Sequence, residues 1–392
     1  MCIRDRNDID WGKYREQFQT FNSVNYLNTC SLGLLSDQGK NSLLEYIDTW
    51  TEMGASAWYS DWIEKTNSLK QEYANCINAD FDEIAILPSV STAIAVILSC
   101  LDLKKDEELI SSELDFPTIA HNFKALEQKG KGKAVIVDSE KMEYVDVNKF
   151  ISKINNKTKL VATSRVFFLS GFINDYEKIM HSAKNNNALF FLDDYQATGQ
   201  LPIDVKEKNI DIMISGGLKW LLGGSGIVYM YVNKNIQQKL EPSVTGWFSH
   251  KRQFEFDPHT IEFSDSATRF ETGTPAISSV YPAVEGLKMV NEIGVDNIRE
   301  RTLYLTQLLV NGLVELGFTI KLPDDLNNHA SITMVSCNNP AVVVETLREN
   351  NIIVDHRPGS VRISPFFYNT EDDINHCIKV MADIKNNNSE LF

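Results

Sequence analysis

The chain has 392 residues, room for one large and one small domain, and its 43% hydrophobic and 23% charged residues are an ordinary globular balance that excludes extensive disorder. A formal net charge of −15 argues against nucleic acid or an anionic membrane as partner, because both are held by basic surfaces. No apolar run approaches the roughly 18 residues of a spanning helix, and no charged-then-apolar start reads as a signal peptide. The six cysteines carry no C-x-x-C pair, which fits a reducing cytoplasm, and the seven histidines show no ligand spacing, so no metal is expected.

Taken in order, Met1–Arg6 has no readable pattern. Residues 26–33, Tyr-Leu-Asn-Thr-Cys-Ser-Leu-Gly, form a short apolar segment closing on a turn. Leu44, Ile47, Trp50, Met53 and then Trp62, Leu69, Tyr73 recur at helical spacing, with an interruption at Gly54–Ser56. Residues 84–88, Ile-Ala-Ile-Leu-Pro, read as a strand closing on Ser89-Val90-Ser91-Thr92, followed by an apolar helix from Ala93 to Cys100. Small hydroxylated residues there serve equally as a plain helix cap or as an anion site built on free amides. A strand and loop are expected at 110–118, where Phe116 precedes a proline, and a further buried strand at 160–171. A helix is expected over 174–187. Strands alternating with helices over 80–232 predict a mainly parallel sheet.

The most informative stretch is 187–232. The run Ala-Leu-Phe-Phe-Leu at 188–192 has the bulk of a strand buried on both faces, and it stops at Asp193-Asp194. Ligands of open α/β sheets bind at that edge, so a carboxylate there is placed to meet one. Lys219 follows alone in an apolar, glycine-rich segment read as helical. A desolvated lysine loses its charge more easily, and a neutral amine forms a Schiff base with an aldehyde. Taken singly, a strand-end Asp is a turn former and a lone Lys snorkels to water. Together, an acid for a pyridine nitrogen and an amine for an aldehyde are what pyridoxal phosphate (PLP) requires.

The wording around them resembles the aminotransferase class V superfamily of fold type I PLP enzymes, which includes kynureninases and cysteine desulfurases. Asp193, Gln196, Gly199, Pro202 and Asp204 stand in that family's spacing. The resemblance implies that Asp193 pairs with the pyridine nitrogen, Gln196 reaches the ring's phenolic oxygen and Lys219 carries the cofactor. It puts the phosphate at Ser91 and the Val90 amide, with Phe116 on the ring face in place of the desulfurase His. Arg165 and Phe168 depart from the family's Ser-His-Val-Ser-Asn wording, so the contact from the Asn position is expected to be lost. Desulfurases place a Ser three before the lysine and a His one before it. Here Gly216 and Leu218 stand there, so compensation is expected from Trp247, in Gly-Trp-Phe-x-His, and from Ser215. Trp247, and Thr274 of Gly-Thr-Pro, would reach the phosphate of a neighbouring subunit, which implies a homodimer. Near the C-terminus Arg362 would hold the substrate α-carboxylate, with Ser31 of the N-terminal segment beside it. Cys30 stands where Asn is usual, and no Cys lies between Asn338 and Arg362, which disfavours desulfuration through a protein persulfide.

The implied architecture is α/β, PLP-dependent transferase fold type I. A large PLP-binding domain at 23–255 carries a mainly parallel seven-stranded sheet. A smaller α+β domain follows at 256–392, with residues 7–22 packing near it. The implied activity is PLP chemistry at the α-carbon of a small amino acid, by a transaminase or a lyase. A kynureninase-like Cβ–Cγ or C–S lyase, or a catalytically retired PLP-fold binding protein, are the alternatives.

Overall fold

The computed structural model describes residues 9–392, and Met1–Arg6 falls outside the described residues. Two long helices, α1 (Asp37–Met53) and α2 (Ile63–Ile77), precede the sheet. Then come β1 (Ile84–Leu87), α3 (Val90–Ser99), β2 (Glu108–Ser112), α4 (Pro117–Gln128), β3 (Lys133–Val137) and β4 (Thr158–Ser164). α5 (Tyr176–Asn185), β5 (Leu189–Asp193), β6 (Ile212–Gly216) and β7 (Val228–Val232) complete the region. The seven strands form one sheet in the order β1-β7-β6-β5-β4-β2-β3, parallel throughout except that β7 runs against both neighbours. The expected mainly parallel, seven-stranded sheet is therefore present. β6 and β7 are buried at every residue and β5 at all but its first, because helices cover both faces.

One apolar cluster on the sheet joins Leu69, Tyr73, Val161, Phe190 and Tyr229 to helix α6 (Ile277–Ile293). A second, on Leu87, Ala162, Phe191 and Ile214, packs against α3 and α4. α7 (Val295–Glu315) leads to a smaller unit whose three-stranded antiparallel sheet joins β8 (Thr333–Ser336), β9 (Asp355–Arg357) and β10 (Ser360–Ile363). Helices α8 (Pro340–Glu349) and α9 (Glu371–Asn387) cover it over a third cluster that includes Leu309, Val335, Val361 and Met381. The segment 318–320 adds only an isolated bridge, from Ile320 to Val335. Since α6 packs on the large-domain core, we infer that the division falls near Gly294, beyond the 255/256 expected from the sequence.

The N-terminal segment ties both units together. Arg15 pairs with Asp373 of α9 at 2.6 Å, Trp11 and Phe18 pack on Phe367, and Asn25–Tyr26 pairs in parallel with Ile352–Ile353. The expected helix around Lys219 does not form. Between β6 and β7 the chain turns tightly, with the Gly223 amide donating to the Gly217 carbonyl at 2.7 Å and Leu222 in the left-handed region at φ +56°. Four glycines at 216, 217, 223 and 224 cost a helix too much backbone entropy. Lys219 therefore stands on a loop at the edge of the sheet where β5 and β6 end.

Candidate active site

The carboxyl ends of β4, β5 and β6 and the β1–α3 turn open on one cavity of about 340 Å³. It is lined by Ser89, Val90, Ser91, Phe116, Thr118, Phe168, Asp193, Tyr195, Gln196 and Lys219, among others. Six of the residues singled out from the sequence thus meet in one place: Val90, Ser91, Phe116, Asp193, Gln196 and Lys219.

Each is held by its local structure. Asp193 is the last residue of β5, almost wholly buried, and its Oδ1 accepts the Tyr195 amide at 3.0 Å. Burial pushes its carboxyl up to about 7, the Tyr195 amide opposes this, and the neighbouring Asp115 carboxylate adds to it. Asp194, next along, points to the other side of the strand end. Arg165 donates to both of its oxygens, at 2.6 and 2.8 Å, and also to the carbonyls of Leu201 and Pro202. The departure at 165 is thus a buried counter-ion for the second aspartate, which leaves Asp193 alone to serve the cavity.

Lys219 Nζ has no hydrogen-bond partner among the described residues and lies 4.7 Å from the Tyr195 ring centroid. Burial lowers its ammonium to about 8, and the Arg362 guanidinium adds to the shift while Asp193 opposes it. Over it passes the segment containing Ser31. Gly33 donates to the Leu218 carbonyl at 2.8 Å, and a Cβ at residue 33 would stand 2.1 Å from the Lys219 carbonyl oxygen, so only glycine permits the approach. Gln196 donates to the Cys30 carbonyl and accepts from Trp220 Nε1, both at 3.0 Å, which fixes its amide with one N–H free.

At the other end, Ser89 caps α3 by accepting the Thr92 amide at 3.1 Å, and the Ser91 and Thr118 hydroxyls meet at 2.5 Å. The first amides of a helix have no intrahelical acceptor and carry the positive end of its dipole, so this end of the cavity suits an anion. Phe116, half exposed, meets Phe168 edge-on at 5.2 Å, and that aromatic pair forms one wall. Phe168 fills the place of the family's Asn with an apolar ring. Asp115 accepts the amides of Ser112 and Ser164 at 2.7 and 2.6 Å, which pins the loop bearing Phe116.

Arg362 and Ser31 lie together at the rim, with Arg362 Nη2 2.6 Å from Ser31 Oγ and Nη1 3.4 Å from the Phe168 carbonyl. The guanidinium is not free. Asp355, its cross-strand partner in the β9–β10 hairpin, takes Nε at 2.7 Å and Nη2 at 2.5 Å. Although burial acts the other way, Arg362 holds the Asp355 carboxyl below its usual range. Sequence reasoning passed over Asp355, yet Pro358-Gly359 between two short runs is a hairpin signal that sets 355 opposite 362.

Three other residues singled out from the sequence lie away from the cavity. Ser215 is fully buried, with its hydroxyl engaged by Tyr73 Oη at 2.8 Å and Thr198 Oγ1 at 2.6 Å. Trp247 is 40% exposed in an aromatic group with Phe248, Phe254 and Phe256, and Thr274 is exposed.

The donor set fits PLP in every part. It offers an unpaired, easily neutralised amine for the aldehyde, a buried carboxyl for the ring nitrogen, a helix N-terminus for the phosphate and an aromatic wall for the ring. Comparison with known proteins agrees. The family model Aminotransferase class-V matches residues 43–377. An uncharacterised aminotransferase, YcbU, of Bacillus subtilis is 28% identical over 370 residues, covering 94% of this chain and 97% of that protein. A kynureninase of Shouchella clausii is 28% identical over 389 residues, covering 95% and 91%. Among solved structures, the cystine C–S lyase C-DES in complex with cysteine persulfide superimposes with a TM-score of 0.86 at 21% identity, covering 94% of this chain and 99% of that one. An apo cysteine desulfurase of Thermococcus onnurineus superimposes at 0.84 and 20%, covering 96% and 98%. These structural likenesses establish the fold.

Proposed function

The chain belongs to the aminotransferase class-V family, and from that premise we propose that it is a PLP-dependent enzyme acting at the α-carbon of a small amino acid, as a transaminase or lyase. The observation that carries this reading is the meeting of Asp193, Lys219 and the α3 N-terminus in one cavity. Bound there, PLP supplies an electron sink for negative charge at the substrate's α-carbon. The chain's own residues do the rest. Lys219 Nζ, partly neutral near physiological pH, would hold the cofactor at its aldehyde, and the same amine is placed to move the substrate's α-proton. Asp193 would keep a proton on the ring nitrogen. The Val90 and Ser91 amides with the Ser89, Ser91 and Thr118 hydroxyls hold the phosphate, and the free N–H of Gln196 reaches the ring oxygen. Arg362, beside Ser31, orients the α-carboxylate.

The working unit is a homodimer. Leu44, Ile47, Trp50 and Met53 form an apolar stripe on α1 that is 40–58% exposed, and Tyr59 and Phe256 are more exposed still. In such a dimer the exposed Trp247 and Thr274 would serve that copy's phosphate end, as the family resemblance implies. The compartment proposed is the cytoplasm, since all five described cysteines are free. No described helix is long and apolar enough to cross a membrane.

The test is an absorbance spectrum of the purified protein with PLP, before and after borohydride, with peptide mass analysis. A reducible band whose mass increment maps to Lys219 supports the reading, and its absence after PLP addition overturns it. Addition of alanine, cysteine, cysteine sulfinate and kynurenine then separates the reactions. An oxo-acid product with the cofactor left as the amine means a transaminase; alanine or pyruvate release with PLP regenerated means a lyase.

A further inference from the structure

The anion end of the cavity lacks a cation. Among its described lining residues Lys219 is the only Lys, Arg or His, and the reading above assigns that amine to the aldehyde. A phosphate there depends on amides and hydroxyls, so each uncommitted hydroxyl in the cavity matters. Tyr195 supplies one. Its Oη has no partner among the described residues, while burial raises the phenol to about 12, so it remains a donor across the physiological range.

The placement of that hydroxyl follows from the sheet register. Gly216 ends β6 and pairs with Val228 of β7, which pairs with Leu87 at the end of β1. Leu87 is followed directly by Pro88 and the Ser89 cap of α3. Gly216 thus lies two strands, about 10 Å, from the strand end that feeds the helix N-terminus. The Tyr195 ring crosses the edge of β6 with its hydroxyl-bearing end over Gly216. A Cβ on residue 216 would stand 1.9 Å from the Tyr195 Cζ, the carbon that carries Oη. Glycine at 216 and tyrosine at 195 are therefore one device: the missing side chain on β6 leaves the space that the phenol fills from β5. Any hydroxyl reaching the cavity from residue 216 would issue from the same place.

We propose that Tyr195 Oη donates a hydrogen bond to the phosphate of the bound cofactor, as the donor that Gly216 cannot provide and Ser215, bonded to Tyr73 and Thr198, does not provide. The proposal rests on the PLP reading above. It assigns the phenol a binding role, distinct from proton transfer at Lys219, whose amine faces the ring of Tyr195.

Tyr195→Phe keeps the ring over Gly216 and removes only Oη. The test titrates cofactor-free wild type and variant with PLP and, in parallel, with pyridoxal, which lacks the phosphate, following the absorbance band and the borohydride-stable mass on Lys219. Expected is a loss of PLP affinity of about 10- to 100-fold, the range for a hydrogen bond to a charged acceptor, with pyridoxal affinity unchanged within about twofold. Tyr195→Ala with Gly216→Ser should regain part of the PLP affinity that Tyr195→Ala loses. Equal losses for PLP and pyridoxal would assign Tyr195 to ring packing and overturn the proposal. Unchanged PLP affinity with reduced turnover would assign it to proton transfer and overturn it as well. If wild type itself takes up no PLP on Lys219, the functional reading fails first, and the two failures stay distinct.

Discussion

Replacing the lysine at the centre of the site should make the cofactor-free protein more stable. Burial lowers the Lys219 ammonium from 10.5 to about 8, which at about 1.36 kcal/mol per unit is a penalty of roughly 3 kcal/mol at pH 7, where the unfolded chain carries the charge freely. Between about 8 and 10.5 the unfolded chain binds the proton and the folded one has lost it, so stability climbs through that window and the penalty is full only below it. Lys219→Met keeps the length and apolar contact of the stem and removes the charge. It also forfeits the contact with the Tyr195 ring, worth about 0.5–1 kcal/mol, leaving a net gain of about 2–3 kcal/mol. With an unfolding entropy of about 2.1 cal/mol/K per residue, that is a rise in Tm of about 3 °C for a chain of 392 residues. Thermal unfolding of both cofactor-free proteins from pH 7 to 10.5 measures it. The gap should close as pH nears 10.5. A variant no more stable at pH 7, or a gap unchanged across the range, would refute the buried-amine argument. Loss of the reducible cofactor band in the same variant would show the functional use of an otherwise costly group.

Arg165→Leu strands Asp194 in the core and should lower stability by about 3–5 kcal/mol in urea unfolding, while Arg165→Met with Asp194→Leu should recover most of it; a neutral single variant would mean that Asp194 takes up a proton at little cost. Asp355→Ala removes the carboxylate that orients the Arg362 guanidinium and should raise KM for the amino-acid substrate about tenfold with kcat within about threefold, as expected when the misplaced contact is one made equally in ground and transition states; a fall in kcat alone would place Asp355 elsewhere in the reaction. Ile47→Glu with Trp50→Glu puts two charges on the exposed stripe of α1 and should yield monomers by sedimentation, with PLP affinity reduced because Trp247 and Thr274 no longer reach a second copy; an intact dimer would move the interface to another face.

How much could be read in advance depended on whether a feature repeats along the chain or arises between elements. The apolar run 188–192 announces a strand buried on both faces, and the acid ending it and the lone lysine at 219 already mark the chemistry. The hairpin pair Asp355–Arg362 was passed over although the signal for it is there, because a Pro-Gly turn fixes which residues face each other. Arg165 and Asp194 carry no such signal. They stand 29 positions apart, and neither residue type announces that the partner lies on the next strand. Likewise Ser215 seemed the natural substitute for a missing hydroxyl at 216, being adjacent in sequence. Adjacent residues on a strand point to opposite faces, so a side chain at 215 turns away from whatever 216 faces. The substitute has to come from another strand passing over the same edge, and Tyr195 at the end of β5 is so placed. A glycine where a donor is expected is therefore better read as room made for a neighbour than as a function lost, and the neighbour to examine is the one that follows the adjacent strand.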